Sequence, residues 1–254
     1  MPPWKKPHFD RHPGMVLPSD SAEPAPIAYA RHAGPEGPGC CSAHRSGKVS
    51  HVKSRLTLTT GSGIFAILVF LSLGAVSYAR YPAAFSVTKN WLSDLGNQTL
   101  NPHGAAIFRF DVILVGLVMG LFFAGLAVWR RRQRTRTRVF VSLAQLFGLV
   151  SGLAMMMTGV FSEGQHASHS LWALLFFISS GASVFLSGLA FLHHRHPSKK
   201  LTYLAFSLAV LEWAMAGVSK IHLLEWVVIA VLLLYFAFVA VGTSTIASRE
   251  ISTA

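Results

Sequence analysis

The chain has 254 residues, of which 52% are hydrophobic and only 13% are charged, and its formal net charge is +12. A soluble domain carries about 25% charged residues, so the composition excludes an ordinary soluble fold and indicates lipid as the solvent. In a soluble protein the positive charge would indicate a nucleic-acid partner, but its position along this chain has another explanation, given below.

Residues 1–55 form a basic N-terminal arm. This arm is rich in Pro, Gly, His and Ser and has no helical or strand periodicity, which is typical of disorder. It contains both cysteines, the neighbours Cys40 and Cys41. Adjacent cysteines rarely form a structural disulfide with each other, so we predict no disulfide framework; lipidation of the pair is an alternative.

Six apolar segments follow, each close to the length of about 20 residues that a helix needs to cross a bilayer. They span about 58–79, 105–129, 139–161, 170–192, 201–219 and 226–247. None of these segments shows the alternating hydrophobicity of a membrane β-strand. Apart from closed β-barrels, only helices satisfy all of their backbone hydrogen bonds in lipid. The sequence therefore predicts an all-α integral membrane protein, a six-transmembrane-helix bundle over 56–248 with a tail at 249–254.

The basic residues are distributed unevenly between the connections. In a six-span arrangement, 18 of the 22 Lys and Arg residues fall on the side that holds both termini. The other side holds only Arg80, Lys89, Arg109 and Lys220. Because loops rich in Lys and Arg stay in the cytoplasm, we predict cytoplasmic termini and a multi-pass protein of the plasma (inner) membrane. The basic loops meet anionic headgroups, so membrane lipid and not nucleic acid is the expected partner.

Small residues recur at a spacing that lets membrane helices approach closely. Gly116 and Gly120 lie four residues apart in the second span, and Gly148 and Gly152 do so in the third. Such pairs favour a compact bundle without specifying a dimer, and the oligomeric state stays open.

The outer side collects hydrogen-bonding residues from three connections. The first connection and the start of the second span contribute Asn90, Ser93, Asp94, Asn97, Asn101, His103, Arg109 and Asp111. The other two contribute Glu163, His166, His169, Lys220, His222 and Glu225, and Glu212 lies about two turns inside the fifth span. Ionisable groups inside a membrane are costly unless paired or functional. We therefore predict a polar cap whose ligand-binding residues are Ser93, Asp94, Asn101, Asp111 and Glu212.

Structural roles are an alternative for several cap residues. Asn101-Pro102 is typical of a helix start, with Asn101 capping free amides. The Ser93–Gly96 stretch fits a turn in which Asp94 accepts from nearby amides and Gly96 supplies an unusual backbone angle. The Ser162–Gln165 stretch fits a capping box before the fourth span.

Charged residues within the spans need partners. An unpaired Glu212 carboxylate would be costly there, so we expect Arg109, Lys220 or a histidine of the cap beside it. Arg109 and Asp111 lie about 200° apart on a helix and cannot pair on one face.

The spacing of Glu163, His166 and His169 places them on one stripe of a helix. Two histidines at this spacing can share a metal ion, and His222 from the last outer connection would supply a third ligand. The sequence identifies no cofactor, and zinc is the ion that such a donor set would hold. Asp94 and Glu163 are the candidate catalytic residues, because either carboxylate could activate a metal-bound water.

Two functions are consistent with these patterns, and whether the protein is an enzyme stays open. The first is an uncharacterised multi-pass membrane protein whose polar outer cap binds a lipid headgroup, an ion or a partner. The second is a membrane-embedded metal-dependent hydrolase or transferase acting on lipid, similar in its residue types to the seven-helix ceramidase-like hydrolases. A small transporter is disfavoured because no inverted repeat is visible and the charge lies at one end.

Three short motifs match a known family. They are Ser93-Asp94-Leu95-Gly96, Asn101-Pro102 with Phe108, and Gly159-Val160-Phe161 followed by His166. Over about residues 58–245 the chain resembles the bacterial and archaeal membrane family called domain of unknown function 998. Ser162 departs from the proline expected after Phe161. The resemblance implies a six-span fold and an integral membrane location, and it brings no established activity, so no catalytic residue is carried over.

Overall fold

The computed structural model describes residues 56–131, 133–194, 198–217 and 221–252. The predicted N-terminal arm with Cys40 and Cys41 lies outside the described residues, and so does Lys220. Within the described ranges the chain forms helices and turns and no strand. The all-α prediction is therefore confirmed.

Six long helices account for most of the described chain. They are α1 (Leu58–Ala79), α2 (Ala105–Gly125), α3 (Thr135–Val160), α4 (His166–Leu192), α5 (Lys199–Gly217) and α6 (His222–Ser252). Short 3-10 helices lie at Leu92–Gly96, Leu126–Arg130 and Glu163–Gln165. Helix α6 continues past the predicted end of its span at 247 into the predicted tail.

Five of these helices, α1 to α4 and α6, are long and apolar enough to cross a membrane. The chain is therefore a membrane-embedded, multi-helix protein. Helix α5, with 19 residues, is not among the five, because Lys200 near its start and Glu212 within it lower its mean hydropathy. The fifth predicted span, about 201–219, is thus the helix that is not apolar enough to count among the candidate membrane spans.

The helices pack in a ring that follows chain order. Each contacts its neighbours in sequence, and α6 closes the ring against α1. At one end, Thr60 Oγ1 at the start of α1 donates to Ala240 O in α6 at 3.0 Å. At the same end, Thr137 Oγ1 at the start of α3 donates to His193 O after α4 at 3.1 Å. Successive helices therefore alternate in direction, and α2, α4 and α6 begin together at the opposite end.

Helices α2 and α3 pack through the predicted glycine pairs. A Cβ atom on Gly116 would lie 2.7 Å from Gly152 O, and one on Gly152 would lie 2.7 Å from Gly116 O. The two backbones are therefore in direct contact, as the spacing predicts. The glycine pair of α2 and the glycine pair of α3 therefore pack against each other within one chain.

Candidate functional site

The connection between α1 and α2 is fixed to the start of α6. The backbone N–H of Leu92 donates to Glu225 Oε2 at 2.7 Å, and the Ser93 side chain lies near the Glu225 carboxyl group. Trp226 Nε1 donates to Asn90 O at 3.1 Å. These bonds join segments more than 130 residues apart in the chain and place Ser93 and Glu225 side by side.

Asp94 joins the same turn to the connection between α3 and α4. Asp94 Oδ2 accepts from the Trp91 backbone N–H at 3.0 Å and from Asn90 Nδ2 at 3.2 Å. The Asp94 carboxyl also lies beside that of Glu163, and burial together with this neighbouring carboxyl raises the pKa of Glu163 to about 8. Burial raises the pKa of the nearby Tyr81 phenol, and the charges of Asp94 and Glu163 raise it further.

Two adjoining cavities lie beside these residues. The inner cavity, of about 70 Å³, has a mainly apolar wall that includes Phe70, Phe108, Val112, Met155, Phe176 and Ile229. The wider outer cavity, of about 420 Å³, is bounded by Trp91, His166, Ser170, Leu174, Met215 and Ala216. Six residues, which we call the rim, line both: Ser93, Glu163, His169, Ala173, Phe177 and Glu225. A partly acidic rim therefore opens onto an apolar interior, as is usual in ligand sites.

The rim offers hydrogen-bond acceptors. Glu163 Oε2 is buried and has no hydrogen-bond partner in the described part of the chain. Arg109 lines the inner cavity, but its Nε and Nη2 donate to Gly159 O and Val160 O, both at 2.9 Å. His169 Nδ1 lies 2.8 Å from Phe161 O. The Arg109 guanidinium is therefore engaged with α3, and Glu163 and Glu225 are the acidic residues that line both cavities.

Residues 64–248 match the family described as protein of unknown function (DUF998). The chain belongs to this family. The matched segment contains both cavities, so the site lies within the DUF998 domain. Neither a curated protein nor a solved structure gives a match to the chain.

The predicted ligand-binding residues of this DUF998 chain occupy different places. Ser93 lines both cavities. Asp94 is 7% exposed and lies behind the rim, where it contacts Glu163. Asn101, Asp111 and Glu212 are outside both linings. Of the five predicted residues, only Ser93 therefore lines the candidate site. Asp94 contacts the site indirectly, through Glu163.

Asn101 has a structural role. It is fully buried, and its Nδ2 lies 3.1 Å from Ser77 Oγ and 3.0 Å from Leu95 O. Its Oδ1 accepts from the Gly104 backbone N–H at 3.0 Å. Asn101 therefore caps the turn that precedes α2 and ties that turn to the end of α1.

Asp111 and Glu212 are completely buried, and their four carboxyl oxygens have no hydrogen-bond partner among the described residues. Asp111 faces Gly74 of α1, whereas Arg109 faces α3, so the two diverge as their spacing predicts. The suggested pairing of Arg109 with Glu212 is wrong, because the guanidinium donates to the carbonyl groups at the end of α3.

Two local predictions at the connections are wrong. Gly96 does not adopt a positive φ; a Cβ atom there would lie 3.1 Å from the Phe108 ring, so the glycine permits a close approach. Ser162 makes no side-chain cap hydrogen bond, so the capping box is absent. The chain enters α4 through the 3-10 turn Glu163–Gln165, and the Glu163 carboxyl contacts Asp94.

The three histidines occupy different surroundings. His166 is exposed at the outer cavity, and the His222 ring lies 4.2 Å from that of Trp91, outside both linings. In the described ranges no group of three or more His, Cys, Asp or Glu side chains could hold a metal ion. The zinc site of His166, His169 and His222, with Asp94 or Glu163 as its catalytic carboxylate, therefore stays a prediction without geometric support.

Glu225 has a larger role than the sequence indicates. The sequence places it in the cap as one interfacial residue among many, yet it both holds the α1–α2 connection and lines the cavities. No local signal distinguishes it, because its partners Leu92 and Ser93 lie more than 130 residues earlier in the chain.

Proposed function

We propose that the two cavities bind a membrane amphiphile whose head carries a protonated amine. One observation carries this proposal: Glu163 and Glu225, from separate connections, face the same cavities, and the inner wall is apolar. An alkylammonium group has only donors and a carboxylate only acceptors. A charge-assisted hydrogen bond between them contributes about 1.5–3 kcal/mol, while the hydrocarbon chain of the ligand packs against the apolar wall.

The charges around the site favour an amine over a phosphate as the recognised group. A phosphate needs donors, and the Nε and Nη2 donors of Arg109 are already bonded to Gly159 and Val160. Glu163 retains a buried oxygen without a partner in the described chain, which an amine would satisfy. Asp94 acts as a positioning residue in this proposal, because it contacts the Glu163 carboxyl from behind the rim.

The proposal also assigns a direction to the bundle. All six helices cross the plasma membrane, α5 included, both termini are cytoplasmic, and the cavities open on the outer face. Two observations support this topology: successive helices alternate in direction around the ring, and 18 of the 22 basic residues fall on the side of the termini.

Labelling of single cysteines tests the topology. After Cys40 and Cys41 are replaced by serine, Gln98→Cys and Gln165→Cys should react with a membrane-impermeant maleimide in intact cells, because both positions are exposed at the cavity end. Arg134→Cys, exposed at the opposite end, should react only after permeabilisation. Reaction of Gln98→Cys and Gln165→Cys from opposite faces of the membrane would contradict the proposal.

Analysis of copurified lipid tests the binding proposal. The wild-type protein, purified in mild detergent, should retain amine-bearing lipid detectable by mass spectrometry. Glu163→Gln preserves the shape of the side chain but cannot form the carboxylate that would pair with an ammonium group, so we expect about tenfold less amine lipid, which corresponds to about 1.4 kcal/mol.

Asp111→Asn is the matched control. It removes a carboxyl at the same end of the bundle from a residue that lines neither cavity, so it should retain amine lipid at the wild-type level. Equal retention by the wild type and Glu163→Gln, or retention of only anionic lipid, would refute recognition of an amine by the rim.

A further inference from the structure

A third cavity lies between α1 and α6, at the end of the bundle opposite the rim. This cavity, which we call the α1–α6 groove, has a volume of about 560 Å³. It is lined by Leu56, Thr60, Ile64, Ile67, Leu68, Ala237, Ala240, Val241 and Ser244. None of these residues lines the two cavities beside the rim, so the groove is a separate site.

The groove forms where small side chains of α6 face larger ones of α1. The Thr60 hydroxyl donates to Ala240 O at 3.0 Å, and a Cβ atom on Gly63 would lie 3.4 Å from Phe236 O. The two helices therefore approach each other closely. Ala237 and Ala240 lie three residues apart and hence on the same face of α6, and their methyl groups leave a gap beside the isoleucine and leucine side chains of α1.

The walls of the groove suit a hydrocarbon chain. Seven of the nine lining side chains are apolar. The other two are hydroxyl groups that donate to the backbone, Thr60 to Ala240 O at 3.0 Å and Ser244 to Val241 O at 2.9 Å. Both hydroxyl protons are thus used within the protein. A polar ligand buried there would lose its hydrogen bonds to water without replacement, which is costly.

The position of the groove matches one leaflet of a bilayer. Leu68 is 59% exposed and Val241 is 64% exposed, so the groove opens to the outside of two helices that are apolar enough to cross a membrane. From Thr60 to Leu68 it extends about 12 Å along α1, from the helical rise. The hydrocarbon of one leaflet is about 15 Å thick, half of the bilayer core. The groove therefore runs alongside the acyl chains of the leaflet at the end where α1 begins.

The sequence at this end of α1 is basic. Lys53 and Arg55 lie just before Leu56, and no acidic residue follows them before the end of α1. Consecutive Cα atoms are about 3.8 Å apart, so Arg55 is next to a residue that lines the groove. Near the end of α6, Arg249 and Glu250 cancel in formal charge. The net charge beside the groove is therefore positive and complements a phosphate group.

We propose that the α1–α6 groove binds one acyl chain of an anionic phospholipid whose phosphate group pairs with Lys53 and Arg55. The chain covers the apolar walls, and the two cations neutralise the headgroup. A second copy of the protein in the same orientation would instead bring its own Lys53 and Arg55 to this end, and like charges repel. The groove shares no residue with the rim, so this proposal is independent of amine recognition there.

Native mass spectrometry of the delipidated full-length protein tests the site. The protein, in detergent, is titrated with dioleoyl phosphatidylglycerol and with dioleoyl phosphatidylcholine, which have the same acyl chains and differ in headgroup charge. We expect the first phosphatidylglycerol molecule to bind about tenfold more tightly, since Lys and Arg residues next to a span attract anionic lipids. Equal affinity of the wild type for the two lipids would overturn the proposal.

Two double variants assign the headgroup preference. Lys53→Gln with Arg55→Gln should lower the affinity for phosphatidylglycerol to that for phosphatidylcholine. Lys199→Gln with Lys200→Gln is the matched control, because it removes two exposed charges at the start of α5, at the same end of the bundle. This control should keep the wild-type preference. Equal loss of the preference in both double variants would indicate general attraction by the basic end and would overturn the proposal.

Filling the groove tests the position of the acyl chain. Ala237→Leu places a larger side chain in the groove and should weaken phosphatidylglycerol binding about tenfold. Ala75→Leu makes the same change at an exposed position of α1 outside the groove and should bind as the wild type does. Unchanged binding by Ala237→Leu would refute the proposal, and so would a wild-type dimer that this variant converts to a monomer, because a second copy would then occupy the groove. The comparison of the two lipids uses the wild type alone and does not depend on how any variant folds.

Discussion

Gly116→Ala should prevent stable packing of the bundle, whereas Gly120→Ala should leave it intact. A Cβ atom at Gly116 would lie 2.7 Å from both Gly152 O and Met156 N, so the backbones of α2 and α3 would have to separate. We expect a loss of about 3 kcal/mol, at the upper end of the usual range for overpacking. Unfolding by a denaturing detergent, followed by tryptophan fluorescence, measures this difference.

Gly120→Ala is the matched control, because it makes the same glycine-to-alanine change about one helical turn away. A Cβ atom at Gly120 would meet only the end of the Leu149 side chain, at 3.6 Å. Because alanine is favoured over glycine in a helix interior by about 0.5–1 kcal/mol, Gly120→Ala should match or exceed the wild-type stability. Equal losses for the two variants would show that the α2–α3 contact differs from the one described.

Asn101→Ala should cause the second large loss of stability. The variant removes the donor to Leu95 O and Ser77 Oγ and the acceptor for the Gly104 N–H, all of them buried. A buried polar group left without its partner costs about 1–3 kcal/mol, so we expect a loss of about 2–4 kcal/mol. The same detergent unfolding assay measures it.

Asn97→Ala is the control for this prediction. Its side chain accepts one exposed hydrogen bond, from the Thr99 backbone N–H at 3.0 Å, and such surface changes usually stay within about 0.5 kcal/mol. A wild-type stability for Asn101→Ala, combined with lost amine lipid, would instead make Asn101 a ligand-binding residue.

Local patterns predict those parts of the structure that depend on solvent and spacing. The lengths of the apolar segments predict the helices because lipid leaves the backbone few alternatives. The spacing of Gly116 and Gly120 predicts a close helix contact, and the spacing of Arg109 and Asp111 predicts that they diverge. These properties depend on helical geometry alone.

The site itself could be predicted only in part, because its bonds join distant segments. The sequence places Ser93 and Glu163 together at one end of the bundle. The role of Glu225 in holding the α1–α2 connection depends on a bond from Leu92, which lies 133 residues earlier in the chain. The capping box before α4 is absent because the Gln165 N–H donates to the Ser162 backbone carbonyl in a 3-10 turn and the Ser162 side chain makes no cap hydrogen bond. The glycine at position 96 is likewise explained by a residue from another segment, because the Phe108 ring packs closely against it.

The most direct test of the rim compares two ligands that differ in one charge. The delipidated protein is titrated with a fluorescent long-chain primary amine and with its N-acetyl derivative, which keeps the chain but is neutral. We expect the amine to bind at least about tenfold more tightly, consistent with a charge-assisted bond, and Glu163→Gln to abolish that preference. Equal affinity of the wild type for the amine and the amide would contradict recognition of a cationic head by Glu163 and Glu225.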